Sequence, residues 1–254
     1  MDEKPDLYNS VAALRNVAAL VQLIRRVEGR GAGLPGMAVF YGPSGVGKTT
    51  AATYAANQFA AVQVQVKSAW SRKKLCEAIL FDAGVPPART IADMVDQIAE
   101  HLSLTGRVLL IDEADFLVAR KMIEIIRDIY ESSFATVILI GEENLPQKLQ
   151  AWERVHGRML DWVAAQPGTL KDVAQLAPIY APGVTLDDEL KRHVLAVSQQ
   201  SIRRICINLD RVQERARTLG KSEMGRADWG DGDFFTGAAP APRRGLVSAG
   251  RTVS

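Results

Sequence analysis

A short glycine-rich segment, residues 42–49, constrains this chain more than any other part of its sequence. It has the spacing G-x-x-x-x-G-K-[ST] and follows an apolar run at 37–41. Glycines let the backbone curl until successive N–H groups point at one anion, and a following helix adds its positive N-terminal end. The pattern predicts a strand, a phosphate-binding loop and a helix. The candidate nucleotide-binding residues are Gly42, Pro43, Ser44, Gly45, Val46, Gly47, Lys48, Thr49 and Thr50.

Two side chains of this loop have distinct predicted roles. Lys48 would reach the β- and γ-phosphates of a nucleoside triphosphate, and the Thr49 hydroxyl would bind Mg²⁺. A glycine-rich turn that carries a lysine by chance is the alternative, but it does not account for the apolar run before the loop and the helical pattern at 50–59.

Two acidic residues follow a second buried segment, residues 108–111. Four consecutive large apolar side chains there are typical of a strand covered on both faces, as in a parallel sheet. Ligands bind at the carboxyl ends of such strands. We expect Asp112 to hold Mg²⁺ and Glu113 to orient or deprotonate the water that attacks the γ-phosphate. Together with the phosphate loop, this pair predicts hydrolysis of a nucleoside triphosphate and not binding alone.

Basic residues are concentrated at 67–74, after a strand predicted at 61–66. The segment also contains an aromatic side chain, and it starts at a strand tip in a nucleotide-binding domain. Two interpretations stay open, a solvated helix face and contact with nucleic acid. The candidate DNA-binding residues are Lys67, Trp70, Arg72, Lys73 and Lys74.

Polar residues follow the next buried strand, predicted at 136–141. Asn144 and Glu142 are both candidates to sense the γ-phosphate, and their spacing does not distinguish them. Further along, Arg154 and Arg158 lie four residues apart and so on one face of a predicted helix. Either could reach the nucleotide of a neighbouring subunit and stabilise the transferring phosphoryl group, whereas the alternative is a surface ion pair with Glu153 or Asp161.

Composition and patterning set the outer limits of the architecture. The 254 residues are 47% hydrophobic and 24% charged, which is typical of a globular protein, and a net charge of +2 means that any basic site must be local. The sequence has no signal-peptide pattern and no apolar run that could span a membrane, so we expect a cytoplasmic protein without a membrane partner.

The chain divides into four predicted parts. They are an N-terminal helix and linker at 1–36, an α/β core at 37–166, a small helical lid at 167–221 and a disordered tail at 222–254. The N-terminal helix, expected over 7–28, either packs against the core only or forms part of the adenine pocket.

Taken together, these motifs resemble an AAA+ ATPase. Within that superfamily the sequence most resembles the phage Mu B group of DNA transposition proteins, related to the Tn7 C-protein and the IS21-type helper ATPases. The resemblance covers roughly residues 7–215. It is carried by residues 16–20, 39–50, 68–71, 110–115 and 153–158.

The resemblance implies a five-stranded parallel sheet followed by a helical lid. It also implies homo-oligomers, as rings or filaments, which form around double-stranded DNA without regard to its sequence and hold ATP between subunits. Such proteins select target DNA and activate a partner transposase. By position, Lys67, Arg72, Lys73 and Lys74 would face the DNA, and Arg203 would touch the γ-phosphate from the lid.

Two features depart from the family pattern, and other functions stay open. Only one helix precedes the core, so DNA contact falls to the ATPase domain itself, and Glu142 is an acid where a neutral polar residue is usual. The alternatives are a helicase-loader-like ATPase and a protein-directed, secretion-type ATPase. A small-molecule kinase fits less well, because the Asp112–Glu113 pair serves water activation.

Overall fold

The computed structural model describes residues 14–230 and 232–239. Its centre is a five-stranded sheet in the order β2-β3-β4-β1-β5, and all its neighbouring strands run parallel. The predicted fold class, an α/β P-loop fold with a helical C-terminal region, is confirmed. The strands are β1 Met37–Tyr41, β2 Val62–Gln65, β3 Leu109–Asp112, β4 Val137–Gly141 and β5 Met159–Ala164.

Helices cover both faces of the sheet because alternate side chains of each strand point to opposite sides. In β1, Ala38 and Phe40 join one core and Met37 and Val39 join the other. The first core contains α1 (Arg15–Glu28) and α2 (Lys48–Phe59). The second contains α3 Arg72–Ala83, α4 Ile91–Thr105, α5 Asp115–Ala119, α6 Ile123–Ser133, α7 Leu145–Gln150 and α8 Glu153–His156.

The stretch that carries the two candidate arginines differs from the sequence prediction. Arg154 lies in the four-residue helix α8, whereas Arg158 follows Gly157 and directly precedes β5. The two side chains therefore do not share a helical face. The strand was missed because β5 is at the sheet edge, where all its residues are only half-buried, so its pattern lacks the uninterrupted large apolar residues of β3 and β4.

The C-terminal region is mainly helical, with α9 Leu170–Tyr180, α10 Asp188–Val197, α11 Ile202–Leu219 and α12 Arg226–Trp229. Two short strands, β6 (Thr185–Leu186) and β7 (Glu223–Met224), pair in parallel, which the prediction of helices alone did not include. Among the described residues, no helix is long and apolar enough to cross a membrane.

The segment predicted as a disordered tail from residue 222 contains ordered structure within 222–230 and 232–239. Trp229 is buried and stacks on Phe234 with ring centroids 4.0 Å apart. The side chain of Asn208 in α11 accepts a hydrogen bond from the Phe235 N–H and donates one to the Phe235 carbonyl. Aromatic anchors thus order a stretch whose composition carries no periodicity. The remainder of the predicted tail, 240–254, and the start of the predicted helix, 7–13, lie outside the described residues.

Candidate nucleotide-binding site

The phosphate loop connects β1 to α2, as the sequence predicts. Gly45 and Gly47 have φ angles of 85° and 91°, a left-handed region that strains residues with a Cβ. Space is also short, because a Cβ on Gly45 would lie 2.6 Å from Ser201 Oγ. Helix α2 begins at Lys48, so the positive end of the helix opens onto the loop.

The ammonium group of Lys48 lies on the loop itself. Its Nζ donates hydrogen bonds of 2.7 Å and 2.9 Å to the carbonyl oxygens of Gly42 and Pro43. Burial lowers the pKa of Lys48, while the charges of Asp112 and Glu113 oppose that shift. The positive charge is therefore held among acidic groups at the position where a phosphate would bind.

Thr49 and Asp112 join the phosphate loop to β3. Thr49 Oγ1 donates a 2.8 Å hydrogen bond to Asp112 Oδ2, and Asp112 Oδ1 accepts a 2.9 Å bond from the Glu113 N–H. Asp112 is only 2% exposed. Mg²⁺ prefers oxygen ligands and is commonly held by one or two protein groups together with substrate phosphates. The adjacent hydroxyl and carboxylate fit this ion, so Thr49 and Asp112 would hold it.

Glu113 lies at the carboxyl end of β3 in a strained conformation. Its φ is +56°, which is costly for a residue other than glycine and recurs at functional sites. Burial, and then the charge of Asp112, raise the pKa of Glu113, while Lys48 opposes the shift. A carboxylate of raised pKa is a better proton acceptor, which suits a residue that activates water.

The cavity at this site is lined by residues of both the core and the helical region. The cavity has a volume of about 350 Å³ and is lined by Lys48, Thr49, Asp112 and Glu113 from the core. From the helical region, Arg203 lines it at the start of α11, where its backbone N–H donates a 3.0 Å bond to the Gly45 carbonyl. The exposed guanidinium of Arg203 has no ion pair with any described residue, so it is available to a phosphate.

A second cavity adjoins the first on the side of α1. It is lined by Asn16, Val46, Thr50 and Pro167, among others. The buried Asn16 amide donates 2.8 Å bonds to the carbonyls of Val46 and Gln166, which tie α1 to the phosphate loop. The N-terminal helix therefore packs on the core and also lines this cavity, and a part for it in an adenine pocket stays a prediction.

Sequence reasoning missed three residues that border both cavities. Tyr180 ends α9, and Ile202 and Cys206 lie in the first turns of α11. Burial, and then the neighbouring Cys206, raise the pKa of the Tyr180 hydroxyl to about 12. Nothing in the sequence marks these residues, because they reach the site only through the packing of the helical region on the loop.

The structure distinguishes between the two candidate sensor residues. Glu142 lines the nucleotide cavity, whereas Asn144 does not. Asn144 precedes α7 as its N-cap, its side chain makes no capping bond, and it is exposed. A role for Asn144 in catalysis stays a prediction that this placement does not favour.

The two candidate arginines lie near the amino ends of β1 and β5, whereas the phosphate loop follows the carboxyl end of β1. Both border a surface cleft of about 520 Å³. Met37, at the amino end of β1, pairs with Met159. The five residues of β1 therefore place roughly 16 Å between the amino ends of these strands and the loop. Arg158 forms an ion pair with Glu131 in place of the expected Glu153 or Asp161, whereas the exposed Arg154 has no ion pair among the described residues.

The basic segment is exposed at the carboxyl end of β2. Within the described chain Lys67 and Lys74 form no ion pair, and Lys73 lies 3.9 Å from Glu77. Arg72 donates a 3.4 Å bond to the carbonyl of Lys121, which brings the exposed Arg120 and Lys121 beside the segment. Trp70 is half-buried and packs against the core, so its ring is not freely presented. The basic surface consists of Lys67, Arg72, Lys73, Lys74, Arg120 and Lys121.

Comparison with known proteins supports the same architecture. The chain is similar to the Aeropyrum pernix ORC1 protein, solved in complex with DNA, with 19% identity and a TM-score of 0.62 over 90% of this chain and 69% of that one. The A. pernix ORC2 protein, solved in ADPNP-ADP complexes, has 15% identity and a TM-score of 0.61 over 85% of this chain and 66% of that one. Domain III of the Thermotoga maritima replication initiation protein DnaA has 17% identity and a TM-score of 0.56 over 90% of this chain and 95% of that one.

This chain therefore spans about two thirds of the length of the two ORC proteins. No curated protein matches its sequence. Residues 32–149 match the family model for an AAA domain. The narrower resemblance to the Mu B group stays a prediction. The sheet order and the phosphate loop give this chain an α/β P-loop fold similar to that of the AAA+ ATPases, and part of it, residues 32–149, is similar to an AAA domain.

Proposed function

We propose that this protein is a Mg²⁺-dependent ATPase that assembles on double-stranded DNA when ATP is bound. One observation carries the proposal: the hydrolytic pair Asp112–Glu113 and the basic surface extend from the carboxyl ends of neighbouring strands, β3 and β2. The bond between Arg72 and Lys121 joins the two parts of that surface. A structural change at the γ-phosphate site could therefore be transmitted through these neighbouring strands to the cations that would contact DNA.

The proposed reaction uses residues from both sides of the cavity. Lys48 binds the terminal phosphates, and Thr49 and Asp112 hold Mg²⁺, which supplies charge neutralisation when bound. Glu113 accepts a proton from the attacking water as the water oxygen bonds to the γ-phosphorus and the bond to the β-phosphate oxygen breaks. Arg203 binds the nucleotide from the helical side, so that occupancy of the site draws the lid towards the core.

An arginine of a neighbouring subunit would complete this site in an assembly. Arg154 and Arg158 lie too far from their own phosphate loop to serve it, and a positive charge beside the transferring phosphoryl group stabilises the transition state. We favour Arg154, because Arg158 is paired with Glu131 and Arg154 has no ion pair among the described residues. The resulting homo-oligomer, ring or filament, is part of the proposal.

Two candidate partners follow from different observations. The resemblance carried by residues 68–71 and 153–158 favours a transposase, with this protein selecting and activating target DNA. The likeness to ORC1 and to DnaA, which is named a replication initiation protein, favours a second candidate, a loader of a replicative helicase. An adjacent transposase gene, or retention of purified transposase by the DNA-bound ATPase, supports the first candidate, and retention of a helicase alone supports the second.

The proposal is tested by sedimentation of the protein with a long DNA duplex at low and high salt, with ATP, ADP or no nucleotide. We expect co-sedimentation with ATP only. Phosphate contacts dominate such binding, so we expect it to fall steeply with salt and to be independent of DNA sequence. Replacing both Lys73 and Lys74 with alanine should reduce the salt slope by about 2. No ATP-dependent co-sedimentation at low salt would overturn the proposal.

A further inference from the structure

An acidic residue occupies the end of β4, beside the expected position of the γ-phosphate. Glu142 lines the nucleotide cavity together with Asp112 and Glu113. Strand β4 lies between β3 and β1, and the Gly42 N–H at the start of the phosphate loop donates a 3.3 Å bond to the Gly141 carbonyl. Glu142 therefore lies between the hydrolytic pair and the loop, where a triphosphate would bring its terminal negative charge.

A buried aspartate holds this part of the chain in place. Asp115 is 8% exposed, and its Oδ2 accepts a 2.7 Å hydrogen bond from the Glu142 N–H. A Cβ added at residue 141 would lie 2.4 Å from Asp115 Oδ2 and 2.5 Å from Leu145 Cδ2, so a larger residue there would displace these side chains. The end of β4 is thus fixed against Asp115.

A lysine from the following helix pairs closely with Asp115 and more loosely with Glu142. Lys148, in α7, places its Nζ 2.6 Å from Asp115 Oδ1 and 3.9 Å from Glu142 Oε2. It does not line the cavity itself. Three carboxylates face the nucleotide site, and Lys48 is the cation within the loop. Besides Lys48 and Arg203, which line the cavity, Lys148 is a further cation that lies behind Glu142 and reduces the negative potential at the γ-phosphate end.

We propose that Lys148 is a positioning residue that allows the acidic Glu142 to stand beside the γ-phosphate, so that it supports binding of the triphosphate more than of the diphosphate. The inference rests on the proposed ATPase function. Lys148 acts through Glu142 and Asp115 and does not contact the nucleotide. ADP lacks the terminal charge that Glu142 would repel, so the loss of Lys148 has little effect on its binding.

Equilibrium binding of a slowly hydrolysed ATP analogue and of ADP tests this directly. Removing a positive charge close to the expected γ-phosphate position leaves Glu142 to repel it, so Lys148→Met should weaken binding of the triphosphate roughly tenfold and leave ADP binding nearly unchanged. Lys148→Arg keeps the charge and should bind both nucleotides as the wild type does. Lys191→Met is the matched control, since Lys191 pairs with Asp188 at 3.1 Å within α10 and lines neither cavity.

A double variant separates this role from a merely structural one. Combining Lys148→Met with Glu142→Gln removes both charges, and it should restore triphosphate binding to within about twofold of the wild type. Equal weakening of ATP and ADP by Lys148→Met, or no recovery in the double variant, would overturn the inference. Absence of ATP binding by the wild-type protein would instead mean that the proposed ATPase function fails.

Discussion

The hydroxyl of Thr49 lies 2.8 Å from the Asp112 carboxylate, and this hydrogen bond joins the helix after the phosphate loop to the third strand of the sheet. The two residues come from segments far apart in the chain, each found by its own local pattern. Because these two residues meet, the loop proposed to bind phosphate and the strand proposed to activate water form a single site.

Replacing Thr49 with valine tests this contact. The change removes the hydroxyl but keeps the shape, so we expect ATP hydrolysis to fall at least tenfold, an order-of-magnitude expectation for losing a Mg²⁺ ligand. The buried Asp112 carboxylate also loses a partner, at a cost of about 1 kcal/mol in unfolding free energy. Steady-state phosphate release and urea unfolding measure the two effects. Thr49→Ser retains the hydroxyl and should retain both the hydrolysis rate and the unfolding free energy of the wild type. Equal activity of the two variants would contradict the role of Thr49 as a Mg²⁺ ligand.

Arg203 should act as the lid's contribution to catalysis. Its exposed guanidinium lines the cavity and has no ion pair with described residues, so Arg203→Ala should reduce hydrolysis by roughly tenfold or more. The neighbouring Arg204 is a matched control, because its side chain bonds to Gln199 and does not line the cavity. Steady-state ATPase assays compare the hydrolysis rates of the two alanine variants. A larger loss from Arg204→Ala would place the functional arginine elsewhere.

Nucleotide should protect Cys206 from alkylation. This thiol borders both cavities, whereas Cys76 is buried in the second core and serves as an internal control. Burial raises the pKa of Cys206 and raises that of Cys76 to about 11, so both thiols should react faster with iodoacetamide as the pH rises. Peptide mass spectrometry with and without ADP measures the protection. Alkylation of Cys206 at an equal rate in both samples would mean that nucleotide does not occupy this cavity.

Short-range patterns made the centre of the fold predictable. The glycine spacing at 42–49 and the apolar run before Asp112 encode their own local structure, and parallel strands bring their carboxyl ends together at one edge. Features that depend on the sheet edge or on packing between distant segments have no such local pattern. Strand β5 is half-buried along its length, so it carries no continuous apolar signal, and the turn at Gly157 removes Arg158 from the helix of Arg154.

The remaining parts of the site depend on contacts between distant segments. Asn16, Tyr180 and Cys206 border the nucleotide cavities only because α1 and the helical region pack on the phosphate loop. The pairing of Lys148 with Asp115 likewise joins two helices that follow different strands. The aromatic anchors Trp229 and Phe234 order a tail whose composition alone favours disorder. Each of these features is determined by contacts between particular pairs of residues, so no local pattern predicts it.

We expect that bound ATP, and not its hydrolysis, drives assembly on DNA. Electron microscopy and sedimentation of Lys48→Ala and Glu113→Gln with duplex DNA and ATP test it most directly. Lys48→Ala should lose ATP binding and assemble no further than the nucleotide-free wild type, because the loop loses its cation. Glu113→Gln should bind ATP without hydrolysing it, and its DNA-bound oligomers should persist longer than those of the wild type. Equal loss of DNA assembly in both variants would contradict the account.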